Sequence, residues 1–157
     1  MAILSDFQMK VHRLQVAALG ANRTLNEQIA KIKSIRTTLF ATPNANKELI
    51  ENTKIIEAKL NDLNTCFNGD RTIANRNGGQ APTIMDRLEY SYYTIIQVTS
   101  DATETVKQNY KIASEMFDPA LAQLKHIVEV DIMNLEKEMN KLNSPWTPGR
   151  LPDWKPE

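Results

Sequence analysis

Two histidines and one cysteine are the side chains best suited to bind a metal ion or to act as a base or nucleophile. Metal sites in helical bundles use Glu-x-x-His pairs that project from facing helices. His126 is followed rather than preceded by its acidic neighbour Glu129, and no carboxylate lies three residues before His12. The single cysteine, Cys66, allows neither an internal disulfide nor a cysteine-built zinc site. We therefore expect no metal, no cofactor and no catalytic residue, with His126 at the edge of a core and Cys66 as a buried or half-buried bystander.

The tripeptide Gly78-Gly79-Gln80 is the other candidate, because a Gly-Gly-Gln tip serves peptidyl-tRNA hydrolysis in translation release factors. Such a tip needs a strongly basic surround, whereas this chain has 19 basic and 19 acidic residues. An isolated tripeptide is weak support for a function. We interpret residues 68–82 as a polar, glycine-rich connector that does not form helix, although connections of this length are often functional.

The composition excludes several classes of function. Zero net charge argues against a surface for nucleic acid or an anionic membrane, and 6% aromatic residues are few for a base-stacking platform. No apolar run approaches the roughly 18 residues of a membrane span. The N-terminus lacks the basic start and apolar stretch of a signal peptide, so the chain is either cytosolic or a fragment.

Apolar residues recur at alternating steps of three and four, which predicts amphipathic helices. Gly20 lies inside the first helix, where glycine costs about 1 kcal/mol relative to alanine. This cost is tolerable, and the missing side chain is useful where a neighbouring helix packs closely. Pro119 lies inside the last helix and predicts a kink near Glu115. The predicted helices are two long ones, at about 4–41 and 102–143, and two shorter ones, at about 45–67 and 83–99.

These lengths predict an all-α, elongated antiparallel bundle over residues 1–144, followed by a Pro- and Trp-rich tail over 145–157. The connection between the first two helices is so short that they must be antiparallel. We expect an up-down-up-down order, in which the two short helices flank the long pair and leave one end two-stranded. Shallow crossing angles near 20° suit this spacing.

Five side chains are candidates for contact with a partner. Tyr90 and Tyr93 lie on faces of the third helix beside the predicted inward position of Tyr92. The tail has both tryptophans and four of the seven prolines, so it is extended or turned rather than helical. Either it folds back over the bundle, which we favour, or it presents side chains to another domain. Its candidate contact residues are Trp146, Arg150 and Trp154.

Several segments are similar to one protein family. "NEQIAKIKSIRTTL", "IMDRLEYSYYTI", "SDATETVKQNYKIASEMFDPALAQL", "LEKEMNKL" and "GRLP" resemble the helical C-terminal region that follows the sortilin-like, BNR-repeat β-propeller of bacterial proteins described as glycosyl hydrolases. The connector "GDRTIANRNGGQ" is longer and richer in glycine than that family's. The resemblance implies an excised domain of a larger exported protein, periplasmic or secreted, in which any glycosidase chemistry belongs to the propeller.

The resulting hypothesis is a non-catalytic accessory domain that contacts its upstream propeller or a second copy of itself. One alternative is a stand-alone helical enzyme or ligand-binding protein with a pocket between its helices. Another is an oligomeric coiled-coil structural protein. An enzyme would show convergent polar groups along the seam, where the sequence offers only Thr53 and His126.

Overall fold

The computed structural model describes residues 5–76, 79–98, 101–152 and 154–156. Within these ranges the chain forms helices and no strand, which confirms the all-α prediction. The elements are α1 (Asp6–Phe40), α2 (Lys47–Asn68), α3 (Arg71–Ala74), α4 (Ile84–Gln97), α5 (Glu104–His126), a π-helical segment (Ile127–Ile132) and α6 (Met133–Lys141).

Side-chain caps determine where the four main helices begin. Ser5 and Thr83 each accept a hydrogen bond from a backbone N–H of the first turn, and Gln8 and Asp86 return a bond to the cap backbone. These are capping boxes, which satisfy two otherwise unpaired donors at once. The side chains of Asn46, at α2, and Thr103, at α5, make the simpler one-way cap.

The segment from α5 through the π-helical segment to α6 is one long helical rod. The backbone keeps right-handed helical angles through both junctions, with φ −60° and ψ −46° at Ile127 and φ −61° and ψ −43° at Met133. This rod is the second of the two long helices that the sequence predicts. α5 continues through Pro119, whose missing N–H removes one backbone bond without ending the helix.

The long rod runs parallel to α1. Phe7 packs on Tyr110, Lys31 pairs with Glu136, and Thr42 donates to Ser144. The sequence separation is a little over 100 residues in each pair, the last being 102. Because this separation is nearly constant, α1 and the long rod run in the same direction. α2 lies between them and is antiparallel to both.

The expected up-down-up-down order is therefore wrong. α2 is antiparallel to α1, since Asn22 bonds to Asn68 and Arg36 pairs with Glu57. α4 packs mainly on α5, and a short loop joins the two helices, so they are antiparallel. Because α5 is parallel to α1, α4 is antiparallel to α1 as well. The connector between α2 and α4 carries the chain onward along the bundle instead of reversing it, which a segment of about 15 residues is long enough to do.

One continuous core fills the space between these helices. Its fully buried large side chains come from α1, α2, α4, the π-helical segment and α6, and burial of each contributes about 1.5–3 kcal/mol. They are Leu25, Ile32, Ile35, Leu39, Leu60, Phe67, Ile84, Leu88, Ile127, Ile132 and Met139.

The seam of α4 differs from the predicted one. Ile84, Leu88 and Ser91 are buried, whereas Tyr92 and Ile95 are only half-buried. The hydroxyl of Ser91 donates to the carbonyl of Arg87 at 2.8 Å, so its polarity is satisfied within the helix. A small, self-satisfied residue lets α4 lie close to its neighbours, and the larger Tyr92 is displaced to the edge.

The connector contains one turn of helix, α3, which contradicts the prediction that it forms none. The Asp70 carboxylate accepts from the Thr72 N–H at 2.8 Å and caps this turn. Gly69 ends α2 at φ +81°, a left-handed angle that favours glycine. The side-chain amide of Gln80 both donates to the Asp70 carbonyl and accepts from its N–H at 3.2 Å. Gln80 thus closes the connector on itself.

Replacing residues 71–79 with Gly-Gly is expected to change the free energy of unfolding by less than about 1 kcal/mol, because loop-closure entropy depends weakly on length. The side chains of Arg71, Thr72 and Ile73 are exposed, and the Asp70–Gln80 pair already holds the ends together. Urea unfolding followed by circular dichroism measures the change.

Gly69→Ala is the control for that excision, because a Cβ there would lie 2.7 Å from Oε1 of Gln80. It is expected to destabilise the fold by about 1–2 kcal/mol through its positive φ and this clash. If the excised protein lost more than Gly69→Ala, residues 71–79 would have to cover part of the core.

Candidate interaction surface

The outward face of α4 presents a stripe of large apolar side chains. Tyr90, Tyr93 and Ile96 follow one another at steps of three and are 46%, 59% and 60% exposed. The seam through Leu88 and Ser91 is buried, so the opposite side of this amphipathic helix must be in solvent. Tyrosines combine a large apolar ring with a hydroxyl, which makes them frequent contact residues.

The ring of Tyr93, in the middle of this stripe, packs against its neighbour in the chain. Tyr92 and Tyr93 pack edge to face with ring centroids 5.9 Å apart. Such a contact restricts side-chain rotation before any partner binds, which lowers the entropic cost of association. Tyr90 and Tyr93, both proposed from the sequence, therefore lie on one surface.

The C-terminal tail leaves the bundle through a tight turn. Asn143 has φ +51°, the N–H of Ser144 donates to the carbonyl of Met139, and the N–H of Asn143 donates to that of Asn140. This pair of bonds is the Schellman arrangement that ends many helices. Pro145 then prevents the helix from resuming.

Arg150 fastens the tail back against α6. Its guanidinium donates to Oδ1 of Asn140 at 2.6 Å and to the carbonyl of Pro145 at 3.0 Å, and it lies 4.6 Å from the ring centroid of Trp146. Only 8% of Arg150 is exposed. We call this cluster of Asn140, Pro145, Trp146 and Arg150 the tail clasp.

The tail clasp removes most of the water around a positive charge. Burial lowers the pKa of Arg150, and the nearby carboxylate of Glu136 opposes that shift. Glu136 also pairs with Lys31 of α1 at 2.5 Å, and Nζ of Lys31 lies 3.5 Å from where a Cβ on Gly149 would be. The tail clasp therefore fastens the tail to α6, and Gly149 of the tail lies beside Lys31 of α1.

The remaining predicted contact residue, Trp154, lies apart from the clasp. It is 79% exposed and Leu151 is 86% exposed, so the chain leaves the bundle surface after Arg150. The tail clasp and the tyrosine stripe are at opposite ends of the long rod. Asn109, which Arg87 of α4 contacts, and Asn140 are separated by about 45 Å at the rise of a helix. Four of the five predicted residues therefore lie on two separate surfaces, Tyr90 and Tyr93 in the tyrosine stripe and Trp146 and Arg150 in the tail clasp, and Trp154 belongs to neither.

The π-helical segment forms a charge cluster that the sequence reading did not identify. Asp131 lies 3.3 Å from Nζ of Lys59 on α2 and 3.6 Å from Nε2 of His126. In an α-helix, residues five apart point in different directions, and the wider π turn brings His126 and Asp131 together. No local sequence signal marks this widening. The cluster lies beside an open groove of about 290 Å³ between α2 and α6.

The other candidate reactive groups have structural surroundings. Burial raises the pKa of the Cys66 thiol, which disfavours the nucleophilic thiolate. The buried hydroxyl of Thr53 donates to the carbonyl of Leu49 at 2.9 Å, one turn earlier. In the described part of the chain, no three His, Cys, Asp or Glu side chains are placed to share a metal ion. Among these residues, no helix is both long and apolar enough to cross a bilayer.

Comparison with protein families, with curated proteins and with solved structures finds no match to this chain. The functional interpretation therefore depends on the residues themselves.

Proposed function

We propose that this chain is a non-catalytic helical interaction domain whose contact surface is the tyrosine stripe of α4. The exposure of Tyr90, Tyr93 and Ile96 on one face carries this proposal. A well-packed bundle has no internal need for three adjacent large apolar side chains in solvent, and such patches are typical of surfaces that bind another protein. The edge-to-face packing of Tyr93 adds the pre-organisation that favours binding.

The partner that we propose is a β-propeller domain encoded upstream in the same reading frame. This part of the proposal depends on the resemblance of the helical segments and of "GRLP" to the C-terminal region of BNR-repeat proteins. Arg150, within "GRLP", is the centre of the tail clasp. In such an arrangement the exported parent protein holds the catalytic or ligand-binding site in its propeller, and this domain supports it.

The reading frame upstream of Met1 provides the first test. We expect it to continue in frame into propeller repeats, and a stop codon immediately upstream would end the accessory-domain proposal. The second test mixes the 157-residue chain with the separately expressed propeller and measures binding by calorimetry. Tyr90→Ala combined with Tyr93→Ala is expected to weaken binding at least about tenfold, since buried tyrosines are common hot spots.

Val130→Ala combined with Met133→Ala is the matched control. These residues are also large, apolar and exposed, at 40% and 47%, but they lie on the long rod rather than on α4. We expect this control to bind as the unmodified chain does. Equal weakening by both pairs would show that the contact is not the tyrosine stripe.

A further inference from the structure

A second face, on α1, is also unpartnered in the bundle. Met9, Val16 and Leu19 are 40%, 56% and 50% exposed. Beside Val16, an open groove of about 390 Å³ runs between α1 and α5, with Gly20 and Leu121 among its lining residues.

Gly20 lies at the centre of the α1 face, and no contact inside this chain requires a glycine there. A Cβ built there would meet no atom within 4 Å, and the residue is exposed in the middle of a 35-residue helix. Glycine weakens a helix relative to alanine. Close approach of another backbone is a common reason to keep it, since the missing side chain lets a second helix come nearer.

Glu27, which pairs with Arg23 of its own helix at 3.3 Å, and Arg13 are two opposite charges at equal distances along the chain from Gly20. Arg13 lies seven residues before it and Glu27 seven residues after it. Seven residues are nearly two helical turns, so both side chains lie on the same face as Gly20. Both are exposed. If two α1 helices cross antiparallel at Gly20, Arg13 of each copy faces Glu27 of the other.

We propose that two copies of this chain associate through the α1 face, with the α1 helices antiparallel and Gly20 at the crossing. A two-fold interface must be self-complementary. Here the opposite charges pair twice, Val16 of each copy enters the other's groove, and the two glycines let the backbones approach. This inference is independent of the proposed docking through α4, because it uses a different helix and needs no propeller.

Sedimentation equilibrium of the 157-residue chain from low to high micromolar concentration tests the pairing. We expect the mass to rise with concentration from 17.8 kDa towards twice that value. Gly20→Leu is expected to weaken the dimer at least about tenfold by separating the backbones. Leucine is a better helix former than glycine, so this variant should keep or raise the monomer's melting temperature. Misfolding therefore cannot account for its loss of dimer.

Charge variants test the register. Glu27→Arg places like charges together twice and is expected to weaken the dimer at least about tenfold. Adding Arg13→Glu to it should restore the wild-type dissociation constant to within about threefold, as coupled residues do. Glu51→Arg is the control, because Glu51 is exposed on α2 and pairs with Lys54 much as Glu27 pairs with Arg23.

A chain that stays monomeric at every concentration would overturn the inference. So would a dimer whose affinity is unchanged by Gly20→Leu or by Glu27→Arg, or one that the charge exchange does not restore. Loss of propeller binding in the calorimetry would leave the sedimentation result unchanged, and the two proposals therefore fail separately.

Discussion

Phe67→Ala is expected to lower the free energy of unfolding by about 3–5 kcal/mol, as large-to-small changes at buried aromatic residues do. Phe67 is fully buried in the last turn of α2 and packs edge to face on Phe117 of α5, with ring centroids 6.0 Å apart. It lies where α2 ends and the chain passes on towards α4, so the cavity would open at the junction of three helices. Urea unfolding followed by circular dichroism measures the loss.

Phe40→Ala provides the matched control for Phe67→Ala. It removes the same side chain from the last residue of α1, where the phenylalanine is 65% exposed. Its expected effect is within about 0.5 kcal/mol, as for most surface substitutions. A Phe67→Ala protein as stable as Phe40→Ala would mean that the end of α2 is not packed against α5.

Arg150→Met is expected to lower the free energy of unfolding by about 2–3 kcal/mol, because it removes two charge-assisted hydrogen bonds and a cation–π contact. Asn140 and the carbonyl of Pro145 would lose their donor, and the tail would detach from α6. Fluorescence of Trp146 in a Trp154→Phe background reports that detachment, since no other tryptophan then remains.

Arg150→Lys separates charge from geometry in the tail clasp. Lysine keeps the positive charge but has no planar fork to reach two acceptors, so it should recover only part of the lost stability. Leu151→Ala, at a side chain that is 86% exposed, should leave both stability and fluorescence unchanged. An Arg150→Met protein with wild-type stability and Trp146 emission would show that the tail clasp does not hold the tail.

The sequence by itself determined the helices of this protein and most of its core. Steps of three and four place residues such as Leu25, Ile32 and Leu60 on one face, and burial of that face is the dominant gain on folding. The helix starts at Ser5 and Thr83 depend on capping, which is a local interaction between a side chain and the next turn. The sequence also supplied Tyr90 and Tyr93 as contact candidates, and these remain predictions.

Tertiary structure alone decided how these helices are arranged. An apolar stripe specifies that a helix is buried but not the direction of its neighbour, so only contacts such as Lys31–Glu136 reveal that α1 and the long rod are parallel. The π turn that brings His126 to Asp131 depends on the packing of the long rod against α2. The turn of helix in the connector depends on the cap at Asp70 and on the hydrogen bonds of Gln80 that close the connector. These features arise from packing between residues far apart in the chain or from loop geometry, and periodicity within one segment contains no information about either.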